Sequence, residues 1–67
     1  NRMSAKAMRI IRELFEVFFN DITLMPPEHQ TNAKQEKARA VADYIAGMTD
    51  RFAIREHRRL FTVEAEL

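Results

Sequence analysis

The sequence predicts an all-α fold of about three helices, and three observations carry that expectation. Only one Gly and two Pro interrupt 67 residues, and the prolines sit together at Pro26-Pro27. Apolar residues recur at helical spacing, and alternation of β-branched residues is absent. Good helix formers fill most of the remaining positions.

The first helix is expected over about residues 3–20. At about 100° per residue, Arg2, Lys6, Arg9, Arg12, Glu13, Glu16 and Asn20 share one polar arc, with Ala5 the one apolar residue among them. The opposite arc, roughly 200° wide, holds Met3, Ala7, Met8, Ile10, Ile11, Leu14, Phe15, Val17, Phe18 and Phe19. Ser4 is the one polar residue on that side. Two short helices cannot cover so wide a face. The excess calls for another partner, either a missing part of a longer chain or a second copy; the alternative is a flattened three-helix monomer with a tolerated exposed patch.

A linker follows through Asn20-Asp21 and Pro26-Pro27, with room for a helical turn at Pro27-Glu28-His29-Gln30. The second helix is expected over about 33–47. Asn32 would be its N-cap, and Gln35 would complete a capping box. Its apolar side would be Ala38, Val41, Ala42, Ile45 and Met48. The third helix is expected over about 50–61, capped by Thr49 or Asp50. Its buried stripe would be Ala53, Ile54, His57, Leu60 and Phe61. Phe52 falls on the arginine side, so its ring is either exposed or packed on a neighbouring element. The tail from Thr62 to Leu67 carries no clear signal.

Composition bounds the function. A chain of 67 residues is at most one small domain. It has no cysteine, which excludes disulfides and thiolate metal sites and is compatible with a reducing cytoplasm. No apolar run approaches the roughly 18–20 residues that span a bilayer, so no membrane partner is expected. No signal-peptide pattern is present. Asn1 in place of an initiating Met is expected to mark a cut chain or a tag remnant. Eleven basic residues against ten acidic ones give a net charge of +1, which argues against nucleic acid as a partner.

Chemistry-bearing residues concentrate between 43 and 59. A Tyr44 hydroxyl could bond a ribose or phosphate; the ordinary alternative is packing with its hydroxyl at the surface. Asp43 could fix an arginine, and Arg39, one turn earlier, is the simplest partner. Gly47 would be a left-handed residue ending the second helix or a small residue where helices touch. Asp50 suits a helix N-cap better than a metal ligand, since no His or Asp stands beside it in the sequence. Arg51, Arg55, Arg58 and Arg59 cluster with His57. Arginine forks fit phosphate oxygens, although Glu56 can neutralise part of the cluster by pairing with Arg59. His57 reads as a packed histidine at the core edge. No Gly-rich phosphate loop, Ser-His-Asp set or zinc spacing occurs, so no catalytic or metal-ligating residue is expected within the chain.

The string Asp43-Tyr44-Ile45-Ala46-Gly47-Met48-Thr49-Asp50-Arg51-Phe52-Ala53 resembles the signature near the C-terminus of the dGTPase-like deoxynucleoside triphosphate triphosphohydrolases, a branch of the HD-domain phosphohydrolases. The resemblance is best from Ala38 to Phe61. A looser likeness runs through Ile11-Arg12-Glu13-Leu14-Phe15 and the Leu24-Met25-Pro26-Pro27-Glu28 turn. Members of the family can carry Tyr where this chain has Phe52, which suggests that the ring matters more than a hydroxyl there.

The resemblance implies that the chain is the C-terminal fragment of a larger all-α HD-type enzyme. That parent would split a dNTP into deoxynucleoside and triphosphate. It would use a divalent metal of the Mg or Mn type, held by His and Asp residues outside this chain. His29 precedes Gln30 and His57 precedes Arg58, so no His-Asp pair occurs here. The resemblance further implies a cytoplasmic homo-oligomer, with these helices forming part of the nucleotide-site wall and of the subunit contacts. Tyr44, Arg51 and Arg55 are the candidate nucleotide contacts; Asp43, Gly47, Thr49 and Asp50 form the structural motif. Two other readings compete with this one. A small helical interaction module would dock a partner on the apolar face of the first helix. A nucleic-acid binder would use the basic third helix.

Overall fold

In a computed structural model, which describes residues 4–62, the chain is all-α. Four α-helices follow in order: α1 (Ala5–Asn20), α2 (Pro27–Ala33), α3 (Lys37–Ala46) and α4 (Asp50–Thr62). A short 3-10 turn, Ile22–Leu24, separates α1 from α2. The expected Arg2 and Met3 positions at the start of the first helix lie outside the described residues.

Ser4 starts α1. Its hydroxyl accepts the Ala7 N–H at 3.1 Å, satisfying one of the open donors of the first turn. At the other end Asp21 leaves helical geometry at φ −145° and accepts the Thr23 N–H at 3.1 Å. That carboxylate turns the chain without a glycine.

The helical turn allowed for at Pro27 is a full helix, which raises the count from three to four. Pro27 occupies its first turn, where a missing N–H costs nothing and the ring presets φ. Gln30 ties α2 back to the preceding loop, donating from Nε2 to the Met25 carbonyl at 2.6 Å.

The second predicted helix consequently begins later than expected, at Lys37. Asn32 is not its cap, and the Asn32–Gln35 capping box does not form. The Asn32 carbonyl instead accepts from Gln35 N and Glu36 N, each at 3.1 Å, and so closes α2. Glu36 takes the cap position of α3 without a side-chain hydrogen bond.

The core is one cluster: Leu14 and Phe18 from α1, Met25, Ala33 from α2, Ala40, Val41 and Ile45 from α3, and Ala53 from α4. Leu14, Phe18 and Val41 are fully buried. Phe18 meets the Tyr44 ring edge-on at 5.3 Å, a favoured aromatic geometry. Lys37 Nζ lies 4.5 Å over the Phe19 ring and ties the start of α3 to the end of α1.

Burial corrects two expected faces. On α3, Ala40 is buried while Ala38 and Ala42 are exposed. Ala40, Val41, Tyr44 and Ile45 form the inward side of α3, rotated from the expected one, and Met48, just beyond the helix, is partly buried. On α4, Ala53 is buried, but Ile54 is 46% and Phe61 43% exposed. The molecule extends only 16 Å in its thinnest direction, so no second layer covers these positions. The wide apolar arc of α1 is likewise incompletely covered: Met8 and Phe19 are exposed. Among the described residues, no helix is long and apolar enough to cross a membrane.

Candidate functional site

The Asp43–Ala53 string folds into the end of α3, a short connector and the first turn of α4. Thr49 makes the junction. Its hydroxyl accepts the Phe52 N–H at 3.1 Å, and its carbonyl accepts the Ala53 N–H at 2.9 Å. Thr49 is therefore the N-cap. Asp50, the other candidate, sits one position later, as the first residue of α4. There its carboxylate meets the positive end of the helix dipole without capping it.

This assignment has a measurable consequence. Thr49→Ala is expected to lower stability by about 0.5–2 kcal/mol, and Thr49→Ser or Thr49→Asp should restore most of it. Asp50→Ala should cost about 0.3–1 kcal/mol, the value of a dipole contact. Denaturant melts of the four variants rank the two positions directly.

Gly47 departs from both expectations. Its φ of −84° is ordinary right-handed backbone. A Cβ built there would meet only the Tyr44 and Asp43 carbonyl oxygens, at 3.7 and 3.8 Å. Neither a left-handed turn nor a helix contact among the described residues requires a glycine. Its small size instead leaves the surface open beside Tyr44.

That surface is a groove of about 270 Å³ lined by His29, Asp43, Tyr44, Gly47, Met48, Thr49 and Phe52. The string thus brings Asp43, Tyr44, Gly47 and Thr49 to one concavity, and α2 adds His29. Tyr44 stands between the core and the groove. Its ring packs on Phe18 inside, and His29 leans on it at 4.7 Å. Burial, and then the Glu56 carboxylate, push the Tyr44 hydroxyl above its ordinary range. It therefore remains a proton donor at neutral pH. Phe52 is 42% exposed at the groove edge. His29 Nδ1 is buried without a hydrogen-bond partner among the described residues. The sequence offered no signal for His29 beyond its place after the proline pair.

The charged residues separate into paired and unpaired sets. Asp43 lies 3.9 Å from Arg39 Nε, the expected surface pair. Arg59 donates to Glu56 from Nη2 at 2.6 Å and from Nε at 3.3 Å. This fork keeps the Arg59 guanidinium firmly protonated, above its ordinary range. Arg51, Arg55 and Arg58 are exposed on α4, and none has a carboxylate within ion-pair distance among the described residues. Spaced i, i+4 and i+7, they form one basic face.

His57 lies at the core edge as expected, and it has a partner that local patterns could not reveal. Its Nε2 donates to Glu13 Oε1 on α1 at 2.6 Å. Its ring stacks on Phe61 with centroids 4.4 Å apart. The His57 hydrogen bond holds the Glu13 carboxyl below its ordinary 4.5, with help from His57, Arg9 and Arg12 charge. A carboxyl depressed by folding stabilises the fold above its unfolded pKa and loses that contribution as pH falls through the folded value. The Glu13 contribution is therefore expected to be full above about 4.5 and to be lost as pH falls through the acid range below it. Glu13→Gln should flatten that acid limb in melts taken across pH 3 to 7.

No three His, Cys, Asp or Glu side chains converge among the described residues.

The family model described as a phosphohydrolase-associated domain matches residues 1–59. A deoxyguanosinetriphosphate triphosphohydrolase-like protein of Bordetella pertussis is 62% identical over 60 residues, which is 90% of this chain and 16% of that protein. Its counterpart in Thiobacillus denitrificans is 62% identical over 63 residues, 94% of this chain and 17% of the relative. The one in Nitrosomonas europaea is 50% identical over 62 residues. The chain thus spans about 16–17% of the length of these curated relatives. No solved structure matches it significantly.

Proposed function

The chain belongs to the phosphohydrolase-associated domain family, and on that premise we propose that it is the C-terminal helical part of a dGTP-type deoxynucleoside triphosphate triphosphohydrolase. The observation that carries the proposal is the groove. Residues of the Asp43–Ala53 string gather around an open concavity, and no side chain of the described residues fills it. Arg51 and Arg55 are not among its lining residues, but they stand on the helix that forms its edge and have no carboxylate within ion-pair distance among the described residues.

In this reading Tyr44 offers a hydroxyl to the sugar or a phosphate oxygen. Arg51 and Arg55 offer forked donors to the triphosphate. The described residues do not make a metal holder, and the divalent Mg or Mn ion is assigned to His and Asp ligands in an HD domain elsewhere in the longer polypeptide. That ion would supply the activation of water for attack on the α-phosphate. The groups of this chain bind and orient.

The exposed Met8, Ile54 and Phe61 suit packing against the rest of the longer polypeptide and, in a cytoplasmic homo-oligomer, against a second copy. The test is direct. The chain alone, incubated with dGTP and manganese or magnesium, is expected to release no triphosphate, while the longer polypeptide releases it. Turnover that follows the purified chain would overturn the proposal.

A further inference from the structure

We infer that His57 is a positioning residue: its hydrogen bond to Glu13 fixes α4 against α1 and so sets the α4 wall of the Tyr44 groove. The two partners are 44 residues apart in sequence and join two helices at 2.6 Å. The bond is half-buried, with the side chains 24% and 35% exposed. Arg9 and Arg12 also bear on Glu13, but both lie on α1 itself. Only His57 reaches it from α4.

α4 needs such a contact because its apolar hold is small. Among its described residues only Ala53 is buried, Leu60 is partly buried, and Ile54 and Phe61 are exposed. Its main packing partner is α1 rather than the groove helices α2 and α3. The connector to α3 is short, and Thr49 holds only the first turn. The direction of α4 is therefore decided on the α1 side. Phe52 lies five residues before His57, roughly 7–8 Å along the axis at about 1.5 Å per residue. A change of tilt at His57 reaches the groove through Phe52, and Arg51 and Arg55 move with it.

Hydrogen bonds are directional and aliphatic contacts are not. A single polar contact across a thin apolar seam can thus select one helix orientation. The ring stacking of His57 on Phe61 lies within α4 and cannot serve that purpose.

Two substitutions separate donor from ring. His57→Phe keeps the ring on Phe61 and removes the donor. His57→Gln removes the ring and keeps an amide donor able to reach Glu13. The readout is the nuclear magnetic resonance spectrum of the 67-residue chain. His57→Phe is expected to shift the Gly47, Thr49 and Phe52 amide signals and the Tyr44 ring signals. The Leu14, Phe18 and Val41 signals should hold their positions. His57→Gln should leave both groups near their original places. Groove signals unmoved in His57→Phe would overturn the inference, as would equal disturbance by both variants. Loss of the core signals together with the groove signals would also overturn it, since His57 would then stabilise the whole bundle.

A kinetic arm rests on the proposed function. In the longer polypeptide, His57→Phe should raise the KM for dGTP by on the order of tenfold with little change in kcat. Shifted groove signals with an unchanged KM would fault the nucleotide assignment and leave the positioning role standing.

Discussion

Phe18→Ala is expected to unfold most of the chain at 37 °C. Phe18 is fully buried and sits at the centre of the core, against Tyr44 of α3. Truncating a buried Phe costs about 3–5 kcal/mol through lost transfer energy and the cavity left behind. At roughly 0.05–0.15 kcal/mol per residue, a chain of 67 residues has only about 3–10 kcal/mol to lose. Little can relax into the space, because Leu14 and Val41 are themselves fully enclosed. Circular dichroism melts should show the midpoint falling by about 4–8 °C for each kcal/mol lost. Phe18→Leu should lose less, since it keeps most of the volume. A Phe18→Ala melt within about 3 °C of the parent would contradict the core assignment, since that is less than 1 kcal/mol.

The second large effect concerns Arg51 and Arg55. Alanine at both positions in the longer polypeptide is expected to raise the KM for dGTP strongly. A hydrogen bond to a charged group contributes about 1.5–3 kcal/mol, so each arginine should count for roughly a tenfold change or more. Lysine should recover only part of it, because it lacks the planar fork. The melting temperature should barely move, as both side chains are exposed and have no ion-pair partner among the described residues. Arg39→Ala is the control. Its surface pairs with Glu36 and Asp43, each at 3.9 Å, hold little energy and lie on α3. Unchanged kinetics in the double variant would reduce the α4 basic face to a solvated surface.

Both predictions depend on features of unequal legibility in the sequence. The long periodicity of α1 was readable, since Leu14 and Phe18 lie one turn apart on a continuous apolar arc. The α2 helix was visible only as a turn, because seven residues hold too few apolar positions to show a period. The start of α3 differs from the expected one for a physical reason. Asn32 and Gln35 have capping-box spacing, but the backbone used Asn32 to close the preceding helix. Ala38 and Ala42 show the limit of small residues as face markers, since they fit either side of a helix.

For the site, the contiguous string placed Tyr44, Gly47 and Thr49 near one another without any tertiary information. His29 and the Glu13–His57 bond depend on how separate helices meet, and local spacing carries no record of that. The choice between Thr49 and Asp50 turned on a single residue of register, which adjacent capping residues leave open.

On the proposed function, the segment from Asp43 to Arg55 contributes to a nucleotide site. Hydrogen exchange of the longer polypeptide, with and without dGTP, tests it most directly. Slower exchange at the amides of Tyr44 through Arg55 when dGTP is bound is the predicted result. Exchange unchanged across that segment, while dGTP protects amides elsewhere in the same polypeptide, would contradict it.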